Sequence, residues 1–137
     1  MRYKDIHIGD VHEFTRTITK QDVGLFAELS GDYNKIHVDE EYSKKTLFKK
    51  NIVHGMFAGM LFSTFIGMHC PGENSLYLSQ TLNFAHPIFP NDTVIVRGTI
   101  IHKNDSIKVI TIKMEIHVNE KIAVFGEAKV KVIYNEK

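Results

Sequence analysis

Three polar side chains with complementary chemistry lie close together in the first third of the chain. Asp32, Asn34 and His37 place a carboxylate, an amide and an imidazole within six residues. They follow Gly31, a residue type that commonly ends helices, so we expect them on a bent segment that directs all three toward one point. A carboxylate and an imidazole can remove a proton from one water molecule, while an amide holds that water or the carboxylate. The motif predicts a site that activates water.

A glycine at the start of an apolar helix is the second chemical feature. Gly55 occupies this position within the run Asn51–Met56. The first N–H groups of a helix have no partner inside the helix, and the helix dipole favours negative charge beside them. We therefore expect Gly55 to stabilise an oxyanion, which together with an activated water suits chemistry beside a thioester carbonyl. His54 is interpreted as a helix cap and is left outside the catalytic set.

The hydrophobic pattern predicts the elements that hold these residues. Alternating residues indicate a strand, and a capping signal followed by one apolar face indicates a helix. A segment that is apolar on nearly every side predicts a helix that must be enclosed. The first half of the chain is then a strand at Val11–Ile18, a short helix from Thr19 to Gly31, a mostly irregular segment at 31–53 with a helical turn at Asp39–Tyr42, and a long helix at His54–Met68.

The second half of the chain alternates with a period of two, which predicts four strands. Their expected bounds are Ser75–Phe84, Thr93–Lys103, Ile107–Val118 and Ile122–Tyr134. A wholly apolar helix followed by an antiparallel meander indicates an α+β fold in which the sheet curls around the helix. The length of 137 residues fits one domain, spanning residues 1–137.

Composition excludes several classes of function. Lys and Arg total 17 against 16 Asp and Glu, so nucleic acid is not expected as a partner. One cysteine, Cys70, rules out an internal disulfide, and the start Met1–Asp5 lacks the apolar segment of a signal peptide, which predicts a cytoplasmic protein. The longest apolar tract falls short of the roughly 20 residues that span a bilayer, so no membrane is expected. The other histidines show no metal-ligand spacing, and no metal is predicted.

Three blocks of sequence carry a resemblance to a known family. The runs Phe26–Asp39, Ile52–Met56 and Phe84–Ile88, the last followed by Asn91–Thr93, closely resemble the MaoC-like (R)-specific enoyl-CoA hydratases. The resemblance extends over nearly the whole chain, and it is specific because the three blocks occur in order. One departure is Lys35, which stands where the family usually has proline, and we expect this loop to be less rigid for that reason.

The resemblance implies a fold, an assembly and a reaction. The fold would be a hotdog fold, an antiparallel sheet wrapped around a long central apolar helix, and the chain would form a homodimer. By the motif, Asp32 and His37 would be the catalytic pair, Asn34 the accompanying amide, Gly55 the oxyanion glycine and Ser63 a helix serine near the aspartate. The reaction would be reversible hydration of trans-2-enoyl-CoA, or of an acyl carrier protein thioester, to the (R)-3-hydroxyacyl product without a cofactor.

The acyl chain is expected to run along the central helix. On a period of 3.6 residues, Gly59, Phe62, Ser63 and Ile66 follow Gly55 on neighbouring faces, so we expect them to bind the acyl part of the substrate. Ser63 is small and lies between two large apolar residues, which predicts a short to medium chain.

A lysine cluster precedes the helix, with two interpretations open. It comprises Lys44, Lys45, Lys49 and Lys50. Such clusters are usually solvated faces, yet the phosphates of an acyl-CoA require cations.

Other functions and plainer roles stay open at this point. A hotdog thioesterase would direct the activated water at the carbonyl carbon, and a non-catalytic acyl-CoA-binding module would use the same fold without chemistry. The Asp-x-Asn-x-x-His spacing favours hydration, and an intact catalytic pair argues against the binding module. Taken singly, His37 could be a loop histidine, Gly55 could serve close packing, and Ser63 could bond its own helix backbone.

Overall fold

A long helix lying against an antiparallel sheet organises the chain in the computed structural model, which describes residues 1–133. A single 3₁₀ turn at Tyr3–Asp5 precedes the other elements. The helices are α1 (Lys20–Ser30), α2 (Lys35–Val38), α3 (Glu40–Lys44) and α4 (Gly55–Met68). The strands are β1 (Val11–Thr17), β2 (Ser75–Gln80), β3 (Asn83–Phe84), β4 (Thr93–Asn104), β5 (Val109–Val118) and β6 (Lys121–Val132).

The sheet has the order β1-β4-β5-β6-β2, with the short β3 also pairing to β6, and all pairings are antiparallel. Its concave face covers α4, whose rings of Phe57, Phe62 and Phe65 are at most 1% exposed. Each such ring contributes roughly 1.5–3 kcal/mol by leaving water. Gly98 of β4 makes the close approach possible, because a Cβ there would lie 2.3 Å from the Phe65 ring. The predicted α+β hotdog arrangement is confirmed.

One face of α4 is not covered by its own chain. Met56 and Met60 on this face are 58% and 40% exposed, and Ser63 and Met68 are exposed with them. The sheet of the single chain therefore curls around only part of this apolar helix, and enclosure of the whole helix would need a second surface. Within residues 1–133, no helix is both long enough and apolar enough to cross a membrane.

The segment between α1 and α4 is more ordered than expected. The predicted irregular stretch at 31–53 contains two short helices, α2 and α3, so His37 lies on a helix and not on irregular backbone. Local caps explain the difference. The Asn34 side chain accepts from the N–H of Ile36 and caps α2, and the Asp39 side chain accepts from the N–H of Tyr42 and caps α3.

Strand bounds follow the predictions closely, with one break. The predicted strand Ser75–Phe84 is interrupted after Gln80, giving β2 and β3. At the break the Thr81 carbonyl oxygen lies so near β6 that a Cβ on Gly126 would be 1.8 Å from it. Only glycine fits opposite such an approach, so the kink depends on Gly126. The predicted end of the last strand at Tyr134 lies outside the described residues.

The outer face of β5 is more buried than expected for the polar residues that alternate along this strand. Thr111 and Glu115 point away from the helix, yet each is only 7% exposed. Glu115 pairs in register with Arg97 of β4 on one side and with Phe125 of β6 on the other. Its carboxylate lies 3.7 Å from Lys113 Nζ and 3.4 Å from His117 Nε2 on the same strand.

Candidate active site

Three ionisable side chains from three different elements meet beside the start of α4. Asp32 follows the α1 C-cap, His37 lies on α2, and His54 directly precedes α4. One polar atom of each lies within 4.8 Å of the others. The chain reverses direction at Gly31, whose φ of 77° is in the left-handed region, and this turn brings Asp32 back toward α4. The predicted pair Asp32 and His37 is thus brought together.

Asp32 is held by its own loop and keeps an oxygen available. Its Oδ1 accepts from the N–H of Asn34 at 3.1 Å, and its own N–H donates to Ser30 Oγ at 3.1 Å. Among residues 1–133 Oδ2 has no hydrogen-bond partner, and the side chain is exposed. A carboxylate fixed through one oxygen and free at the other can accept from a water molecule.

Asn34 has one structural bond and one free group. Its Oδ1 caps α2 through the N–H of Ile36 at 3.2 Å, while its amide nitrogen has no partner in the described part of the chain. The neighbouring departure from the family pattern, Lys35, is the first residue of α2. Proline is favoured at the first position of a helix because its fixed φ suits that turn, and any residue with a free N–H is tolerated there as well. The Asn34 cap on α2 is formed with Lys35 at this position.

His37 has a defined tautomer. Its Nδ1 lies 2.8 Å from the carbonyl oxygen of Ile52. A carbonyl only accepts hydrogen bonds, so Nδ1 carries the proton and Nε2 of the neutral ring carries a lone pair. A backbone hydrogen bond joins the same two segments, because the N–H of Ile52 donates to the carbonyl of Ile36 at 3.2 Å. His37 can therefore accept a hydrogen bond or a proton at Nε2.

His54 is a member of the site that the sequence interpretation missed. It occupies the N-cap position of α4, but its side chain makes no capping hydrogen bond. Its Nε2–H donates instead to the backbone carbonyl of Asp32 at 2.9 Å, and its ring stacks on His37 with 3.9 Å between centroids. A histidine before a helix-starting glycine is readily taken for a cap. Only the fold shows that this ring is 3% exposed and joins the loop of Asp32 to α4.

The charge state of His54 follows from its surroundings. Burial lowers the pKa of His54 below its ordinary value of 6.5, and the adjacent His37 acts in the same direction. Its Nδ1 is buried and has no hydrogen-bond partner within residues 1–133. A neutral ring at this position avoids burying an unpaired positive charge.

The donor set suits proton transfer better than metal binding. Asp32, His37 and His54 present potential ligand atoms within 4.8 Å of one another. However, one nitrogen of each imidazole already donates to a backbone carbonyl, and the other nitrogen of His54 is enclosed by protein. Only His37 Nε2 and the Asp32 carboxylate are open, which is one ligand fewer than a catalytic metal usually receives from the protein.

A cavity of about 380 Å³ joins the two predicted halves of the site. Its wall is mostly apolar and includes Phe48, Ile52, Phe84 and Val124, and both His37 and Gly55 border it. Asp32 does not line it in the single chain.

Gly55 lies at the point where α4 begins, so N–H groups without helical partners and the positive end of the helix dipole face this region. A Cβ on Gly55 would lie 3.0 Å from the Phe84 ring, so a side chain here would narrow the cavity.

The residues expected along the acyl chain are divided between two environments. Phe62 and Ile66 are buried in the core, at 0% and 2% exposure. Gly59 and Ser63 lie on the uncovered face of α4, in line with Gly55. A Cβ on Gly59 would lie 3.6 Å from Leu82 Cδ1. None of these four residues lines the 380 Å³ cavity of the single chain.

Cys70 takes no part in the site. It is fully buried, and burial raises the pKa of its thiol to about 11. A protonated, enclosed thiol is a poor nucleophile.

The lowered pKa of His54 predicts a dependence of stability on pH. In the unfolded chain His54 regains its ordinary pKa, so between the two values the unfolded chain binds more protons than the folded one. The free energy of unfolding should therefore fall as pH drops through about 6.5 toward the folded-state pKa of His54. We expect His54→Gln, whose amide can still donate to the Asp32 carbonyl, to lose this part of the dependence. Urea unfolding at several pH values measures it, and equal slopes in the two proteins would contradict it.

Comparisons with known proteins give a consistent result. The MaoC like domain family matches residues 6–124. An (R)-specific enoyl-CoA hydratase of Rhodospirillum rubrum is 35% identical over 130 residues, covering 95% of this chain and 90% of that protein. The solved structure of an (R)-hydratase from Aeromonas caviae involved in PHA biosynthesis has a TM-score of 0.91 at 32% identity, covering 94% of this chain and 98% of that one.

A second solved structure supports the same assignment. The R-hydratase PhaJ1 from Pseudomonas aeruginosa, in its unliganded form, has a TM-score of 0.93 at 32% identity, covering 98% of this chain and 86% of that chain. The fold, the order of the motif blocks and these matches agree over nearly the whole length. This chain belongs to the MaoC-like domain family.

Proposed function

We propose that this protein is an (R)-specific enoyl-CoA hydratase, a hydro-lyase that reversibly adds water to trans-2-enoyl-CoA to give (R)-3-hydroxyacyl-CoA. The observation that carries the proposal is that Asp32 and His37 present polar atoms within 4.8 Å of each other, next to a cavity that both His37 and Gly55 border. These are the groups that hydration of a conjugated thioester requires.

The reaction needs help at two ends of the enoyl group. The water oxygen forms a bond to C3 while the C2–C3 π electrons move toward the thioester oxygen, and C2 then takes a proton as the carbonyl re-forms. Asp32 and His37 would hold the water from two sides, remove one proton and return a proton to C2. Asn34 would fix the water through its free amide nitrogen. The N–H of Gly55 would donate a hydrogen bond to the negatively charged thioester oxygen. General acid–base catalysis and oxyanion stabilisation are each worth roughly 10² to 10⁴ in rate.

His54 acts in this scheme as a positioning residue. It lines the cavity, but its Nε2–H is committed to the Asp32 carbonyl and its Nδ1 is buried, so it offers no free polar group to a ligand. Its hydrogen bond fixes the backbone that carries the carboxylate, and its stacked ring fixes the plane of the His37 imidazole. Both restraints reduce the freedom of the two groups that must hold one water.

One assay separates hydration from the rival activity. With crotonyl-CoA, hydration removes the absorbance of the conjugated thioester and releases no thiol, whereas thioester hydrolysis releases one free thiol for each molecule consumed. We expect loss of the absorbance without thiol release. Thiol release at the same rate would identify a thioesterase, and no reaction with saturable CoA-thioester binding would identify a binding module.

A homodimer is part of the same proposal. The uncovered face of α4 carries exposed methionines, and the neighbouring strand β2 at the sheet edge exposes Leu76 and Leu78 at 50% each. A second copy could cover both surfaces by pairing the sheets edge to edge and enclosing the helices. We propose a cytoplasmic enzyme whose substrate is an acyl-CoA or the corresponding acyl carrier protein thioester.

Acyl-chain length is the next prediction, and it follows from the position of the proposed tail path. Gly59 and Ser63 follow Gly55 on the uncovered face, while Phe62 and Ile66 lie on the adjoining face of the helix and are buried in the core. We propose that the tail passes Gly59 and Ser63 and that the bulk of Phe62 and Ile66 limits its length. Phe62→Ala and Ile66→Ala should therefore shift relative kcat/KM toward longer enoyl-CoA substrates.

The measurement must allow for lost stability. Each truncation leaves a cavity in the core that costs about 2–5 kcal/mol, so profiles should be taken below the unfolding range of every variant. The matched control is Phe57→Ala, which removes an equally buried ring from the same helix on a different face. A shift in both test variants but not in the control is expected. Identical relative preferences in all four proteins would mean that the tail takes another route.

A further inference from the structure

We propose that a lysine-lined cleft beside the catalytic cavity binds the phosphates of the CoA portion of the substrate. The inference deepens the proposed function and rests on it. The cleft has a volume of about 260 Å³, and its charged lining consists of Lys20, Lys44, Lys49, Lys50 and Glu40. Four ammonium groups thus face one carboxylate in a chain whose total formal charge is only +1. This local excess of positive charge predicts a polyanionic ligand.

The lysines are not equally available. Lys20 pairs with Glu40, and Lys44 pairs with Glu41 at 2.7 Å. Lys49 has no ion pair or hydrogen bond through its side chain within residues 1–133 and is exposed. The Lys50 ammonium lies 4.3 Å from the centre of the Phe89 ring, which directs it without neutralising its charge. Lys49 and Lys50 are therefore the two cations free to bind phosphate oxygens.

Continuity with the catalytic cavity points to CoA in particular. His37 borders both spaces, and the loop 48–52 separates them. Phe48 and Ile52 of this loop face the apolar cavity, while Lys49, Lys50 and Asn51 face the cleft. An acyl-CoA has the same order of chemistry, with an apolar acyl thioester at one end and phosphates at the other. A ligand whose carbonyl lies at Gly55 can leave the cavity across this loop toward the lysines.

The loop is held in a fixed shape, as a binding surface requires. Asn51 is 8% exposed, and its Oδ1 accepts from Ser43 Oγ at 2.7 Å. The N–H of Lys49 donates to the carbonyl of Thr46 at 3.2 Å. These bonds place the two free lysines on one side of the loop before any ligand arrives, which reduces the entropy that binding must overcome.

The structure also divides the lysine cluster seen in the sequence. Lys44, Lys49 and Lys50 line the cleft and are joined by Lys20 from α1, whereas Lys45 is exposed and does not line it. Lys45 therefore supplies a matched control, because it has the same charge and lies within a few residues of the test positions.

Crotonyl-CoA and crotonyl-pantetheine together test the proposal, since both carry the same thioester and only the first carries phosphates. For the double variant Lys49→Gln/Lys50→Gln we expect KM for crotonyl-CoA to rise about tenfold, the effect of losing two partly exposed charge pairs. We expect kcat to stay within about twofold and the kinetics with crotonyl-pantetheine to stay unchanged. The control Lys45→Gln should behave like the wild type with both substrates.

Binding of free CoA, measured by calorimetry, gives a readout that does not depend on catalysis. The proposal predicts that the double variant binds CoA more weakly than the wild type. It also predicts that the wild type loses CoA binding at high salt. Equal changes with both thioesters, or no change with either, would overturn it. A larger effect on crotonyl-acyl carrier protein than on crotonyl-CoA would assign the lysines to a protein carrier instead and would also overturn it. Absence of any hydration by the wild type would refute the proposed function, while the calorimetry would still decide on the cleft.

Discussion

Replacing either Asp32 or His37 with alanine is expected to lower kcat for crotonyl-CoA hydration by at least about 10², the usual loss when a general acid or base is removed. Both side chains would act on the same water, one through Oδ2 and the other through Nε2. The losses should therefore be strongly non-additive, with the double variant nearly as active as either single one. Initial rates of absorbance loss, compared among the four proteins, measure this.

The control for these variants is stability. Asp32 is exposed and His37 is only partly buried, so neither truncation should remove core packing. Thermal unfolding should show that both proteins fold. Activity within about tenfold of the wild type in either folded variant would contradict the two-residue mechanism, because it would fall short of a lost acid or base. Additive losses would show that the two groups act on different steps.

Placing a charge on the uncovered face of α4 is expected to have the second large effect. In Met60→Asp, a carboxylate replaces an apolar side chain that is 40% exposed in the single chain and would be enclosed in the dimer. Burying an unpaired charge is so unfavourable that association should fail. Because Gly55 and the proposed tail path lie on the same face, we expect a monomer that has lost nearly all activity. Light scattering and the crotonyl-CoA assay at the same protein concentration measure both properties.

A matched control separates assembly from general surface effects. Ile107 is 52% exposed in the turn between β4 and β5, away from α4. Ile107→Asp makes the same change in charge and should remain dimeric and active. A Met60→Asp protein that is still a dimer, or a wild-type monomer with full activity at micromolar concentration, would exclude the proposed interface.

The regular elements could be predicted because their signals are local. Alternation along β5 and β6 places Ile112, Met114 and Val130 on the covered face, where each is fully buried. The capping box of Thr19 and Asp22 and the left-handed Gly31 set both ends of α1 as expected. Such features depend on residues within one or two turns of each other, so a single sequence contains the information.

The departures arise from contacts between distant residues. The break between β2 and β3 depends on Gly126, which is more than forty residues from Thr81 in the chain. The role of His54 depends on a carbonyl 22 residues earlier. The open face of α4 is apolar like the rest of the helix, so composition could not indicate which side its own sheet covers. The strand break, the role of His54 and the open face of α4 all depend on tertiary contacts, which a local sequence pattern does not contain.

Asp32 and the start of α4 are joined through a single buried side chain, because His54 bonds the Asp32 carbonyl and is followed directly by Gly55. The distance between Asp32 and Gly55, which we propose as the base for water and the donor to the thioester oxygen, is thus set by one short linkage. Under the proposed mechanism, substrates can differ greatly at either end, but the three reacting carbons would have to match this span. Attempts to broaden the specificity of this protein should leave positions 54 and 55 unchanged and vary the residues that surround the two ends of the ligand.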